Sequence, residues 1–229
     1  MDIEFILRGT SPLLCHNPQM VDPEFPINKA IREMTKKGAK KTDADLNEIK
    51  KLEWYGGIYT AAIGGRHVVT QPTSKVKKCL AGAAKITKQG KSIDRSIVTT
   101  ALDVPLVYEG SEKAQDLDKE LARLQQSAAF NSYLSVGVNG KRVMRTRPKF
   151  PQWGLIVPAI YIEDAGLNFD ELCNIFALAG RAERIGDNRA NGYGAFEDVV
   201  REVTPATKAI EPTLAGIDKF LETRARKAS

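Results

Sequence analysis

Histidine and cysteine are scarce in this chain, with two and three respectively in 229 residues. Cys15, Cys79 and Cys173 are odd in number, far apart and set among apolar neighbours. That pattern excludes a disulfide framework and a zinc knuckle and points to a reducing compartment. No histidine or carboxylate spacing suggests a metal site, so none is expected. No apolar run approaches the roughly 18 residues that a membrane span needs. The opening Met-Asp-Ile-Glu-Phe carries an acid where a secretory signal carries lysine or arginine. The expectation is a cytoplasmic protein with no membrane association.

Nucleotide-cofactor motifs are missing too. Gln89-Gly90-Lys91-Ser92 echoes the end of a P-loop, but Lys85 stands where its first glycine belongs and no strand precedes it. Gly192-Tyr193-Gly194 is not a dinucleotide fingerprint, because Glu197 occupies the third glycine position and a strand follows it. No cofactor is expected.

What remains is a basic chain with an ordinary apolar content, 42% hydrophobic, and 34 Lys and Arg against 28 Asp and Glu, a net charge of +6. A surplus of this sign favours phosphate-rich partners. Its distribution says more than its size. Three blocks, Lys29 to Lys41, Lys75 to Lys91 and Lys141 to Lys149, hold half of the lysines and arginines and a single acid, Glu33. Cations repeated at backbone spacing bind phosphates through counterion release. A solvated charged face is the ordinary account of any one block; three together favour a nucleic-acid footprint.

Hydrophobic period places these blocks on elements. Ile3, Phe5 and Leu7 alternate as a first strand with one buried face. Thr10 to Pro26 reads as a packed loop and carries His16. Helices are expected at Asn28 to Lys37, after a Thr42/Asp45 cap, after Pro72, and at Gln115 to Gln126. Trp54 to Ala62 and His67 to Thr70 read as strands joined at Gly64-Gly65, and Val104 to Tyr108 as a short one. On the helix after Pro72, Val76, Cys79, Leu80, Ala83 and Ile86 share one side and Lys77, Lys78, Lys85 and Lys88 the other. Leu134 to Val138, Asn139-Gly140 and Lys141 to Arg147 form the strongest hairpin signal in the chain. Trp153 to Ile162 is an apolar strand, Asn168 and Glu171 cap a helix, and Phe196 to Val203 is the last strand. Residues 1–203 read as one elaborated domain and 204–229 as a helical appendage near Leu214 to Leu221. No internal repeat is present.

Two features carry the functional expectation. The hairpin sets Arg142, Arg145, Arg147 and Lys149 on a stiff ribbon near Tyr133, with Phe150 and Trp153 beyond, a supply of forked donors and stacking rings for unpaired bases. Core anchoring is the alternative account of those last two rings. The second feature is the turn from Ile185 to Phe196. Gly186, Gly192 and Gly194 let its backbone approach a ligand, Arg184 and Arg189 add cations, and Tyr193 adds a stacking platform. A helix cap at Gly186 and a β entry at Gly192 and Gly194 would explain the glycines but not the arginines. Lys36, Lys37, Lys40, Lys41, Lys77 and Lys78 complete the expected contact set.

An opening strand, a late strand–helix unit and a turn of form G-x(5)-G-x-G-x-F feeding the last strand resemble the RAMP superfamily. The resemblance spans Met1 to Gly9 and Gly154 to Val203, and the turn is also similar to sequences in phage and prophage proteins. RAMP proteins are ferredoxin-like RNA-binding proteins, among them CRISPR backbone subunits and repeat-processing endonucleases. The resemblance implies an α+β fold with a ferredoxin-like (RRM-like) antiparallel sheet core carrying helical and hairpin insertions. It implies a turn that contacts RNA, a homo-oligomer along nucleic acid, and a protein partner in a CRISPR-type or phage complex. His16, soon after the first strand, is the one catalytic candidate, as general acid or base of metal-independent RNA cleavage. The reading favours binding of RNA or single-stranded DNA without catalysis. The alternatives are a RAMP-like endoribonuclease using His16 and a phage-encoded interaction protein docking an acidic host partner.

Overall fold

The computed structural model describes residues 1–138 and 140–228, and their side chains except at 138, 141, 164 and 225–228. Along the chain run β1 (Asp2–Gly9), β2 (Leu13–Leu14), α1 (Pro26–Lys36), α2 (Asp43–Gly57), β3 (Thr60–Ile63), β4 (Arg66–Pro72), α3 (Thr73–Ile86), α4 (Gly90–Ser96), β5 (Ile97–Thr99), β6 (Asp103–Pro105) and β7 (Val107–Tyr108). Then follow α5 (Leu117–Gln126), β8 (Asn131–Val138), β9 (Lys141–Phe150), β10 (Trp153–Tyr161), α6 (Phe169–Leu178), β11 (Phe196–Glu202) and α7 (Leu214–Ala228). The fold is α+β with antiparallel sheets. Asn139, half of the expected hairpin turn, lies outside the described residues.

The main sheet has the order β11-β1-β10-β5, every neighbour antiparallel, with β7 also pairing β10. Ile3, Phe5 and Leu7 of β1 point into the core, where α3 brings Val76, Leu80 and Ala83 and α6 brings Leu172, Ile175 and Phe176. The Phe5 and Phe176 rings meet edge to face at 4.8 Å, a geometry aromatic pairs prefer. Helices α3 and α4 carry the chain from β1's side of the sheet to β5, and α6 carries it from β10 to β11. The result is a β-α-β-β-α-β thread in which each βαβ unit is split by a strand of the other. The Asn168/Glu171 capping box starts α6, and the Thr42/Asp45 box starts α2, as their spacing predicts.

Two expectations are corrected. β1 buries both faces, because Ile6 on the far side is covered by α7 through Ile217. Trp54 to Gly57 is the last turn of α2, not a strand: Trp54 is fully buried and its indole N–H donates to the Phe130 carbonyl at 2.9 Å, so tertiary packing holds that turn in the helix. The two long insertions, 10–72 and 109–150, meet each other. β2 of the first pairs β9 of the second. Glu53 of α2 accepts both from Arg145 Nη1 at 2.6 Å and from the Thr146 backbone N–H at 2.8 Å, which ties that helix to β9.

Candidate nucleic-acid interface

The glycine-rich turn is a braced loop. After α6 a wide turn at Ala179–Glu183 ends on Arg184, whose φ of 60° is left-handed. Gly194 is held between Ile185 N–H, which donates to its carbonyl at 2.9 Å, and the Pro12 carbonyl, which accepts from its N–H at 2.9 Å. A Cβ there would collide with the Ile185 carbonyl. Gly186 is pressed on Leu13 and the Leu14 carbonyl in the same way, so these two glycines answer to packing. Gly192 has open space around it and a φ of 93°. Arg184 Nη1 donates to the Arg189 carbonyl at 2.9 Å and Arg189 Nη1 to the Glu183 carbonyl at 3.1 Å. The half-buried Arg184 and the exposed Arg189 therefore stiffen the loop around an open depression of about 620 Å³. Tyr193 is half-buried.

Beside the turn lies β9. Arg147 pairs with Asp187 and so joins ribbon to turn, and Lys149 stands opposite Leu14 of β2. Cross-strand register puts Arg145 and Arg147 on one face, opposite Leu134 and Ser132. Arg142 lies on the other face with Met144 and the exposed Tyr133, whose ring carries Lys50 Nζ at 4.8 Å. Arg142 therefore does not share a face with Arg145 and Arg147, because successive strand residues alternate.

His16 completes this edge. Its backbone is pinned by Tyr59, whose hydroxyl donates to its carbonyl at 2.6 Å, and by the Cys15 N–H bonded to the Pro148 carbonyl at 2.9 Å. Burial first, then Arg147, Lys75 and Arg145, hold its pKa below the ordinary histidine value, so the ring stays neutral at neutral pH. Lys75, in the first turn of α3, donates from Nζ to Gln71 Oε1 at 3.0 Å and sits 3.9 Å over the Tyr59 ring. Burial lowers its pKa, and no carboxylate of the described residues pairs with it. The Cys15 thiol, pushed up to about 11 by burial, accepts from Gln71 Nε2 at 3.0 Å and stays uncharged.

The seam therefore unites the turn, Arg145, Arg147, Lys149 and His16, and adds Lys75, which in the sequence is one member of a lysine block. Other expected residues fall elsewhere. Lys77 Nζ reaches the Asp94 carbonyl at 3.5 Å, beside α4, with Lys78 exposed next to it. Lys36 pairs with Glu33 and Lys37 with Asp45, both at 2.5 Å, and Lys40 and Lys41 lie at the same α1–α2 junction. Phe150 and Trp153 are fully buried, and Trp153 Nε1 donates to the Ser11 carbonyl at 2.8 Å, which removes both rings as stacking platforms. Among the described residues no three His, Cys, Asp or Glu side chains converge on a metal position, and no helix is long and apolar enough to cross a membrane.

No protein-family model matches the chain, and no curated protein matches it. Among solved structures it is similar to a chain of one described as "Type IV-B CRISPR Complex", with 10% sequence identity and a TM-score of 0.41 over 96% of this chain and 98% of that one. The functional reading rests on the residues above.

Proposed function

We propose that the protein binds nucleic acid, RNA or single-stranded DNA, along the seam between the glycine-rich turn and β9, without catalysis. The observation that carries this is convergence: His16, Lys75, Arg145 to Lys149 and the turn lie far apart in sequence and meet on one partly exposed edge with more cations than carboxylates. The split β-α-β-β-α-β thread supports the ferredoxin-like, RAMP-like reading of residues 1–203. α7 lies over Ile6 and Ile156 on one sheet face, so the strand is assigned to the seam and not to an RRM-type sheet surface. Residues 204–229 are read as the segment that covers this face. The same reading extends to copies side by side along a strand and to a protein partner in a CRISPR-type or phage complex.

Fluorescence anisotropy with labelled single- and double-stranded RNA and DNA at two salt concentrations tests it. Single strands should bind with log Kd rising against log salt by about 0.7 per phosphate contacted, roughly two to three in all for this seam. Micromolar or weaker binding to all four at low salt would sink the proposal. The catalytic alternative has one observation in its favour, a neutral imidazole beside a lysine of lowered pKa. Metal-free incubation of a structured RNA with the protein and with His16→Ala decides it: only cleavage lost in the variant would install His16 as catalytic.

A further inference from the structure

A lysine ammonium partly withdrawn from water, as Lys75 is, commonly sits against a carboxylate, because desolvating an isolated charge is costly. Lys75 does not. One of its three N–H groups goes to the Gln71 amide oxygen, the ammonium rests over the Tyr59 ring, and the neighbouring Cys15 is a neutral thiol. An ammonium has three donors and no acceptor, so donor capacity remains.

The charge around it is equally uneven. Arg147 is matched by Asp187 and Arg145 by Glu53, which leaves the Lys75 charge without a counter-ion among the described residues and His16 neutral. The Lys75 charge thus stands unpaired at a place whose backbone is fixed by the Tyr59–His16, Cys15–Pro148 and Asn17–Gly57 hydrogen bonds. A singly charged tetrahedral oxyanion balances it.

We propose that Lys75 and His16, with Arg147 alongside, form a seat for one phosphodiester of the bound strand, a fixed point distinct from the diffuse attraction of the basic surface. The diester assignment rests on the nucleic-acid reading; the phosphate chemistry of the seat does not. Binding there adds a negative charge beside His16, opposing the influence of Lys75 on α3 and of Arg145 and Arg147 on β9, while Tyr59, Cys15, Glu53 and Asp187 keep their charges. The imidazole then takes up a proton, and affinity rises as pH falls.

Two probes separate this proposal from the broader one. Inorganic phosphate should raise the thermal midpoint of the wild type and not that of Lys75→Met, the difference removing the general effect of salt on folded proteins. Without phosphate, Lys75→Met gives up the bond to the buried Gln71 amide oxygen, so its melting midpoint is measured first and binding is compared well below it, which keeps lost binding distinct from lost folding. A single-stranded oligonucleotide should bind Lys75→Met about tenfold more weakly than wild type, while Lys113→Met, an exposed control, should change it by no more than about twofold. The oligonucleotide should bind more tightly at about pH 6 than at about pH 8, and His16→Asn should erase that difference, because a diester does not titrate in this range. Equal phosphate protection of wild type and Lys75→Met, or equal oligonucleotide affinity of the two, overturns the seat and leaves the nucleic-acid reading standing. Phosphate protection through Lys75 with no oligonucleotide binding overturns the diester assignment and the nucleic-acid reading together.

Discussion

Asp198 on β11 shows how a single residue sets a pH dependence. It faces a depression of about 720 Å³ shared with Arg181 and Glu197, and burial lifts its pKa from 3.8 to about 7, with Arg181 opposing and Glu197 adding to the shift. In the unfolded chain the carboxyl loses its proton near 3.8, whereas in the folded chain it holds the proton until about 7. Its favourable contribution is therefore complete below the lower value and is lost as pH rises towards the upper one. Asp198→Asn should be more stable than wild type by about 1–2 kcal/mol at about pH 8, after allowance for the half-exposed carboxyl, and the advantage should shrink towards about pH 5. Urea midpoints at the two pH values check this; an advantage independent of pH would refute it. The same scale explains why Lys75 escaped the sequence reading. Cys79, one turn further along α3, is buried, so the register of that helix sets position 75 on its inward side. What closes over it, however, is Tyr59 and the Cys15–His16 segment, and nothing local announces that contact. Gly186 and Gly194 are legible as glycines that the chain requires, but what requires them, β2 pressed on Gly186 and the Ile185 carbonyl folded back on Gly194, is not written in the local pattern.

Among elements, α7 changes the surface most. It lies across the sheet face opposite α3 and α6, with Ile217 fully buried between Ile6 and Val107. Gly154 admits it: a Cβ there would stand 2.6 Å from Ile217 Cδ1. Polar ties hold its flanks, Arg8 to Asp218 at 2.6 Å and Arg201 stacked 5.2 Å from the Phe220 ring. Ile217→Ala should cost about 2–5 kcal/mol, the range for truncating a fully buried branched side chain to alanine. Because the seam is on other elements, oligonucleotide affinity at low temperature should not change, so melting and anisotropy together distinguish a cover from a binding element. The hydrophobic alternation of β1, the two capping boxes and the β8–β9 hairpin were all readable, since each is specified within a few residues. The docking of α7 was not, because Ile6 reads as the polar-side position of an alternating strand until a second layer is placed on it. The Trp54 turn misread for the same reason: its β-prone aromatics belong to a helix whose end is fixed by the distant Phe130 carbonyl.

At the scale of the whole molecule, the three basic blocks separate. The first runs along α1 to its junction with α2, and three of its lysines, Lys29, Lys36 and Lys37, are already paired; the second splits between Lys75 in the seam and Lys77 and Lys78 beside α4; only the third runs along the seam. Charge counted along the sequence therefore overstates the footprint, and affinity should be unequally distributed among cations that look equivalent in the chain. Lys149 is the cleanest reporter, since it stands on β9 opposite Leu14, half-exposed, and in no ion pair of the described residues. Arg184 and Arg189 are poorer ones, because each also braces a loop carbonyl. Lys149→Gln should weaken single-strand binding by about three- to tenfold and lower the salt slope by about 0.7, one phosphate contact. The double change Lys40→Gln, Lys41→Gln removes twice the charge from the α1–α2 junction and should shift affinity by less than about twofold at moderate salt, where the Debye length is about 10 Å and charge away from the strand is screened. Anisotropy titrations of the three proteins over a salt series decide between them. Equal losses per charge removed would mean that the strand is held by the basic surface as a whole, and the seam would then have no privileged place in binding.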